Sequence, residues 1–129
     1  MSASFRDWHP PFWHCEISGD EVSSLQAPVS DREIFEALKS LKPYKALNPD
    51  GIHAGFFQRF WLIVGDSVKE EVKQIFSTAK IPGYLNETLI TIIPKCKCPE
   101  SFNNFHPISL CNSVYKVMTK VIVARIRPL

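Results

Sequence analysis

Two lysines set directly behind a proline carry the strongest chemical signal in this chain. Leu89 to Ile93 is a short β-branched apolar run with the length of a buried strand, and Pro94 stops it. Lys95 and Lys97 follow at once, so a rigid strand aims two ammonium groups out of its end, where a phosphate can be met. A polar loop then leads to Phe105-His106-Pro107-Ile108-Ser109-Leu110, which reads as the entry to a helix. His106 and Ser109 invite a base-and-nucleophile reading. They flank a proline at that entry, and Ser109 as the helix N-cap is the better account. No Gly-x-Ser-x-Gly, Gly-rich phosphate loop or His-Glu-x-x-His occurs. Cys15, Cys96, Cys98 and Cys111 lack the spacers and the paired histidines of a zinc site, so free thiols are expected. No carboxylate cluster suggests a bound metal, and no catalytic residue is assigned.

The elements that position these residues are mostly helical. Ser30-Asp31-Arg32-Glu33 has the form of a capping box. Ile34, Ala37, Leu38 and Leu41 then share a helical face that Pro43 ends. Asn48-Pro49-Asp50-Gly51 is a turn whose Asp50 is placed to cap the next helix. That helix carries a stripe of Phe56, Phe57, Phe60, Trp61 and Val64, expected in the core, with a break at Gly65-Asp66. Val68, Val72, Ile75, Phe76 and Ala79 predict a third helix, closed by Pro82-Gly83. A last helix over roughly 109–126 puts Val114, Val117, Met118, Val121 and Ile122 on one face. Lys116, Lys120 and Arg127 fall on the other. Arg125 lands in the apolar face, so either the helix frays before it, the preferred reading, or the guanidinium meets a carboxylate or phosphate. Residues 1–27 read as irregular, with a short helix near Glu21 to Leu25.

With 129 residues the chain is one small domain at most, and 45% hydrophobic and 22% charged residues are values of a globular chain. Its charge is uneven. Residues 1–40 carry a net −4 and residues 41–129 a net +6. From Thr88 onward six basic residues face one acid, Glu100. Such a tail attracts a polyanion or is simply a solvated surface; charge alone does not decide. No apolar run nears the ~20 residues that span a bilayer, and the N-terminus does not read as a signal peptide. An intracellular setting without a membrane follows, nucleus and cytoplasm not being distinguished.

The strand ending Ile93-Pro94-Lys95 and the segment Phe105-His106-Pro107-Ile108-Ser109-Leu110 resemble the fingers of reverse transcriptases of non-LTR (LINE-type) retroelements, most closely plant ones. In that family an Ile-Pro-Lys strand is followed by Phe-Arg-Pro-Ile-Ser-Leu. Val29 to Leu41 is similar to the helix before the family's Lys-Ala-Pro-Gly-Pro-Asp-Gly loop, which here reads Lys45-Ala46-Leu47-Asn48-Pro49-Asp50-Gly51. Phe56-Phe57 and Trp61 continue the match, and Ala124 to Leu129 is similar to the helix before the palm. About 100 residues match in order.

The resemblance implies an α+β fold, the mostly helical fingers portion of a right-handed polymerase with one or two short strands. Residues 28–129 would be a partial reverse transcriptase domain. It implies nucleotide or template contacts at Lys95, His106, Lys45 and Asp50, with a basic face of Lys97, Lys116, Lys120 and Arg127. RNA or an RNA–DNA duplex is the implied partner, together with a palm supplied elsewhere. Two departures matter. Leu47-Asn48 replaces Pro-Gly, and asparagine supplies only part of glycine's backbone freedom, so a distorted loop is expected. His106 replaces an arginine that would hold a triphosphate, and a mostly neutral imidazole offers no such fixed fork. Family enzymes use two Mg2+ ions on palm aspartates. Those motifs are absent from this sequence, so no polymerase activity and no cofactor are expected of this chain alone. The remaining readings are a non-catalytic nucleic-acid-binding module and a small helical interaction domain, its patch drawn from Trp8 to Trp13. Truncation next to a palm also predicts that Val117, Val121 and Ile122 lack a cover, with marginal stability the result.

Overall fold

A computed structural model describes residues 17–45 and 48–128. Trp8, Trp13 and Cys15 lie outside the described residues. The order is α1 (Gly19–Gln26), α2 (Asp31–Ser40), α3 (Ala54–Arg59), α4 (Trp61–Thr78), α5 (Gly83–Asn86), β1 (Thr88–Pro94), β2 (Phe105–Cys111) and α6 (Ser113–Ile126). The fold is α+β: the helices cluster around one core, and the strands form a two-stranded antiparallel sheet.

The helix starts follow local chemistry. Ser30 accepts from the Glu33 backbone N–H at 3.3 Å, while Glu33 accepts from the Ser30 backbone at 2.8 Å, the expected capping box. Ser18 and Glu21 repeat the device at α1, which contains the short helix expected near Glu21 to Leu25. Asp50 does not cap α3. Its Oδ1 accepts from the Ile52 N–H at 3.0 Å, closing an Asx turn, and His53 takes the N-cap position. Gly51 in that turn has φ +71°, which glycine adopts without a steric cost.

The core joins Ile34, Ala37 and Leu38 of α2 to Val68, Val72 and Ile75 of α4 and to Val114, Val117, Met118 and Val121 of α6. Val117 and Val121 are therefore covered within the chain, contrary to the expectation of a bare face; Ile122 is the member left exposed. The aromatic stripe divides. Phe57 and Trp61 pack on the core, but Phe56 and Phe60 are exposed. The helix breaks at Phe60 rather than at Gly65-Asp66, and α4 runs unbroken through both. Gly65 is needed because the Trp61 ring lies over it: a Cβ there would sit 2.9 Å from two ring carbons. Ala79 adopts a left-handed conformation at φ 52°, is exposed, and terminates α4 ahead of Pro82-Gly83.

The strands overturn two expectations. β1 is exposed along its whole length, so the apolar run is a strand but not a buried one. Phe105 to Cys111 is its antiparallel partner and not a helix entry. Ser109 lies opposite Ile90 and caps nothing, and α6 begins four residues later. Pro107 is tolerated because β2 is an edge strand.

Arg125 meets a carboxylate, and the helix does not fray before it. Its Nε donates to Glu33 Oε1 at 2.7 Å and Nη2 to Oε2 at 3.1 Å. The same guanidinium donates to the carbonyls of Leu25, Ala27 and Pro28. It thus ties α6 to the link between α1 and α2. The Arg125 hydrogen bond holds Glu33 at a pKa of about 2, helped by the Ser30 bonds and opposed by partial burial.

Candidate nucleic-acid interface

The loop before α3 and the first two turns of α6 enclose a recess of about 340 Å³. Lys42, Lys45, Lys116 and Lys120 line it together with His53, and no carboxylate does. None of the four lysines forms a salt bridge among the described residues. Ammonium groups gathered in a concavity without counter-charge raise the local concentration of anions.

Asn48 holds this recess together. It is buried, its Nδ2 donates to Ile52 O and to Ser113 Oγ, both at 2.8 Å, and its Oδ1 accepts from Lys116 Nζ at 2.6 Å. Where the resembling family has a glycine, the Asn48 side chain docks the loop on α6; the distortion expected of this loop falls partly on residues 46 and 47, outside the described residues. The Nδ1 of His53 is buried without a partner among the described residues, at the edge of the same recess.

Of the sequence-selected residues, Lys45, Lys116 and Lys120 come together here. Lys95 and Lys97 sit apart, past the end of β1. Lys95 Nζ donates to Asn103 O at 2.8 Å and its N–H to Asn104 O at 2.7 Å, which pins the base of the loop; Lys97 is exposed. His106 is exposed on β2 opposite Ile93. Asp50 lines a different recess, beside Phe57 and Tyr84. Arg127 does not line the lysine recess; it lines a neighbouring one with Lys120, Glu33 and Glu36. Lys42, Asn48, His53 and Ser113 were not selected from sequence. Lys42 and Lys45, three apart in a loop with Pro43 between them, were the available signal.

The described residues contain no group of three His, Cys, Asp or Glu able to hold a metal. Several of their carboxylates have partners: Asp31 with Lys69 and Lys73, Glu33 with Arg125, Glu36 with Arg32, Glu71 with Tyr84. No helix among the described residues is long and apolar enough to cross a membrane.

No family model matches the chain. Over 111 residues it is 26% identical to the Xenopus laevis transposon TX1 uncharacterized 149 kDa protein. The match covers 86% of this chain and 8% of that relative, so the chain spans less than a tenth of its length. The chain is thus distantly similar to part of a transposon protein.

Proposed function

We propose that this chain is the fingers portion of a retroelement reverse transcriptase and that its own activity is binding the sugar–phosphate backbone of RNA or an RNA–DNA duplex. The observation that carries the reading is the lysine recess. Lys42, Lys45, Lys116 and Lys120 converge without a carboxylate among them, on the loop and helix where the motif resemblance lies. The relation to a transposon protein supports the same origin. The reading assigns binding to these residues and no nucleotidyl-transfer step. Lys95 and Lys97 form a second contact at the end of the hairpin, with His106 a weak replacement for a phosphate-gripping arginine.

Backbone binding of this kind is sequence-tolerant and falls steeply with salt. Fluorescence anisotropy of labelled single-stranded RNA across a KCl series tests it. The triple variant Lys45→Ala, Lys116→Ala, Lys120→Ala should flatten the log–log salt slope by about 2, at ~0.7 per lost single-strand phosphate contact. Lys95→Ala with Lys97→Ala should flatten it by about 1. An unchanged slope in the triple variant overturns the assignment of the recess.

A further inference from the structure

The molecule has a second concavity whose chemistry is the reverse of the first. Between α3, α4, α5 and the start of α6 lies a recess of about 530 Å³ with Phe57, Val64, Val68 and Leu85 along it. Asp50, Glu71 and Glu87 also line it, and no lysine, arginine or histidine among the described residues does. A polyanion is repelled here, so this surface does not belong to the nucleic-acid site. Ile63 lines the recess and is 77% exposed, and neighbouring Leu62 is 99% exposed. Phe56 and Phe60 add exposed rings on the adjoining turns, 5.1 Å apart between centroids. Helix-borne apolar residues at such exposure are the signature of a surface that another element covers. Asn112, itself buried, lines the recess too, and its Oδ1 has no donor among the described residues although its Nδ2 is satisfied by Tyr84 O at 2.8 Å.

We propose that this recess docks an amphipathic helical segment of a partner protein, one that presents apolar side chains flanked by lysine or arginine. The apolar walls take the partner's hydrophobic anchors. Asp50 and Glu87, with Glu71 keeping its charge while it accepts from the Tyr84 hydroxyl, select cationic flanks by charge complementarity. Nothing in the lining would recognise an acidic peptide, and carboxylates brought against Asp50, Glu71 and Glu87 would be repelled. The docked helix and the nucleic acid use opposite charges, so the two sites work at once.

The test uses the full chain and two labelled 14-residue probe helices, one of leucine and lysine and one of leucine and glutamate in the same pattern. Anisotropy should detect the lysine helix and not the glutamate helix. Asp50→Asn, Glu71→Gln and Glu87→Gln together should weaken the lysine helix about tenfold at low salt, from three partly exposed charge pairs. Ile63→Asp should bring its binding close to background. Ile63 is exposed, so this change leaves folding intact, with far-UV circular dichroism as the check; Leu62→Ser gives a second, uncharged reading. Lys45→Ala with Lys120→Ala should leave peptide binding unchanged. Equal binding of both helices, unaltered binding by Ile63→Asp and Leu62→Ser, or no binding of the lysine helix each overturns the proposal.

Discussion

The helical cluster and the β-hairpin are built from the same kinds of residue and use them in opposite ways. In the cluster, the stripes of α2, α4 and α6 close on one another, leaving Val117 and Val121 at 1% exposure. In the hairpin, Leu89, Thr91 and Ile93 share one face with Leu110, Ile108 and His106, while Ile90 and Ile92 lie opposite Ser109 and Pro107 on the other. No described element forms a layer over either face, and Ile90 is 68% exposed. A helix has one stripe to hide, but an isolated two-stranded sheet has two faces and two edges. Stability therefore resides in the helices and not in the hairpin, which carries Lys95 and Lys97 just past the end of β1.

The largest test of that division compares Leu38→Ala with Ile90→Ser. Leu38 is 1% exposed at the centre of the cluster, and its truncation should cost about 3 kcal/mol, transfer and cavity together. Ile90→Ser should fall within about 0.5 kcal/mol. Urea unfolding followed by far-UV circular dichroism measures both. A comparable loss at Ile90 would mean that the hairpin is packed against something and that the contrast is false.

A smaller effect probes what closes the cluster. Arg125→Ala removes five hydrogen bonds, two to Glu33 and three to backbone carbonyls. It should cost about 2 kcal/mol, because Glu33 is left partly buried without its cation. The pH dependence is directional. Glu33 is depressed from 4.5 to about 2 in the folded chain. Its contribution is present above the unfolded value and lost as pH falls through the folded one, between about 4.5 and 2. Glu33→Gln should flatten that part of the acid unfolding curve. A variant that tracks the parent through the same window would mean that the pair does not hold the α1–α2 link.

What the sequence disclosed and what it hid follow from the range of the forces involved. The Ser30–Glu33 capping box was legible because its partners are three residues apart; Ser18–Glu21 carries the same signal and went unread. The apolar positions of α2, α4 and α6 were legible from periodicity, since a buried stripe repeats every turn. Arg125 was not, because the groups that hold it lie 92 to 100 positions away. β2 was misread because a proline and a serine before an apolar run imitate a helix start. The alternation of His106, Ile108 and Leu110 was the competing strand signal. Burial of β1 was misjudged because composition reports what a residue prefers, not whether a second layer exists. At the candidate site, helical spacing put Lys116 and Lys120 on one face, and the resemblance pointed to Lys45. The recess itself depends on Asn48 reaching Ser113 and Lys116, a contact across 65 and 68 positions.

The finest distinction between the two regions lies in that asparagine. Asn48 belongs to the helical side, since its amide joins the loop to α6 and its side-chain hydrogen bonds go to Ile52, Ser113 and Lys116. Asn48→Gly would restore the residue of the resembling family and remove three hydrogen bonds, leaving the Ser113 hydroxyl buried with only the long 3.5 Å contact to Ile52 O. The expected cost is about 1 kcal/mol, near the net worth of a hydrogen bond once water competes for the exposed partners. Its effect on RNA binding should be local. Asn48→Gly and Lys116→Ala should be non-additive, because Lys116 Nζ is held by Asn48 Oδ1. Asn48→Gly and Lys95→Ala should be additive within about 0.5 kcal/mol, because they share no partner. Anisotropy on the two double-mutant cycles decides it, and coupling between Asn48 and Lys95 would mean that recess and hairpin form one binding surface rather than two.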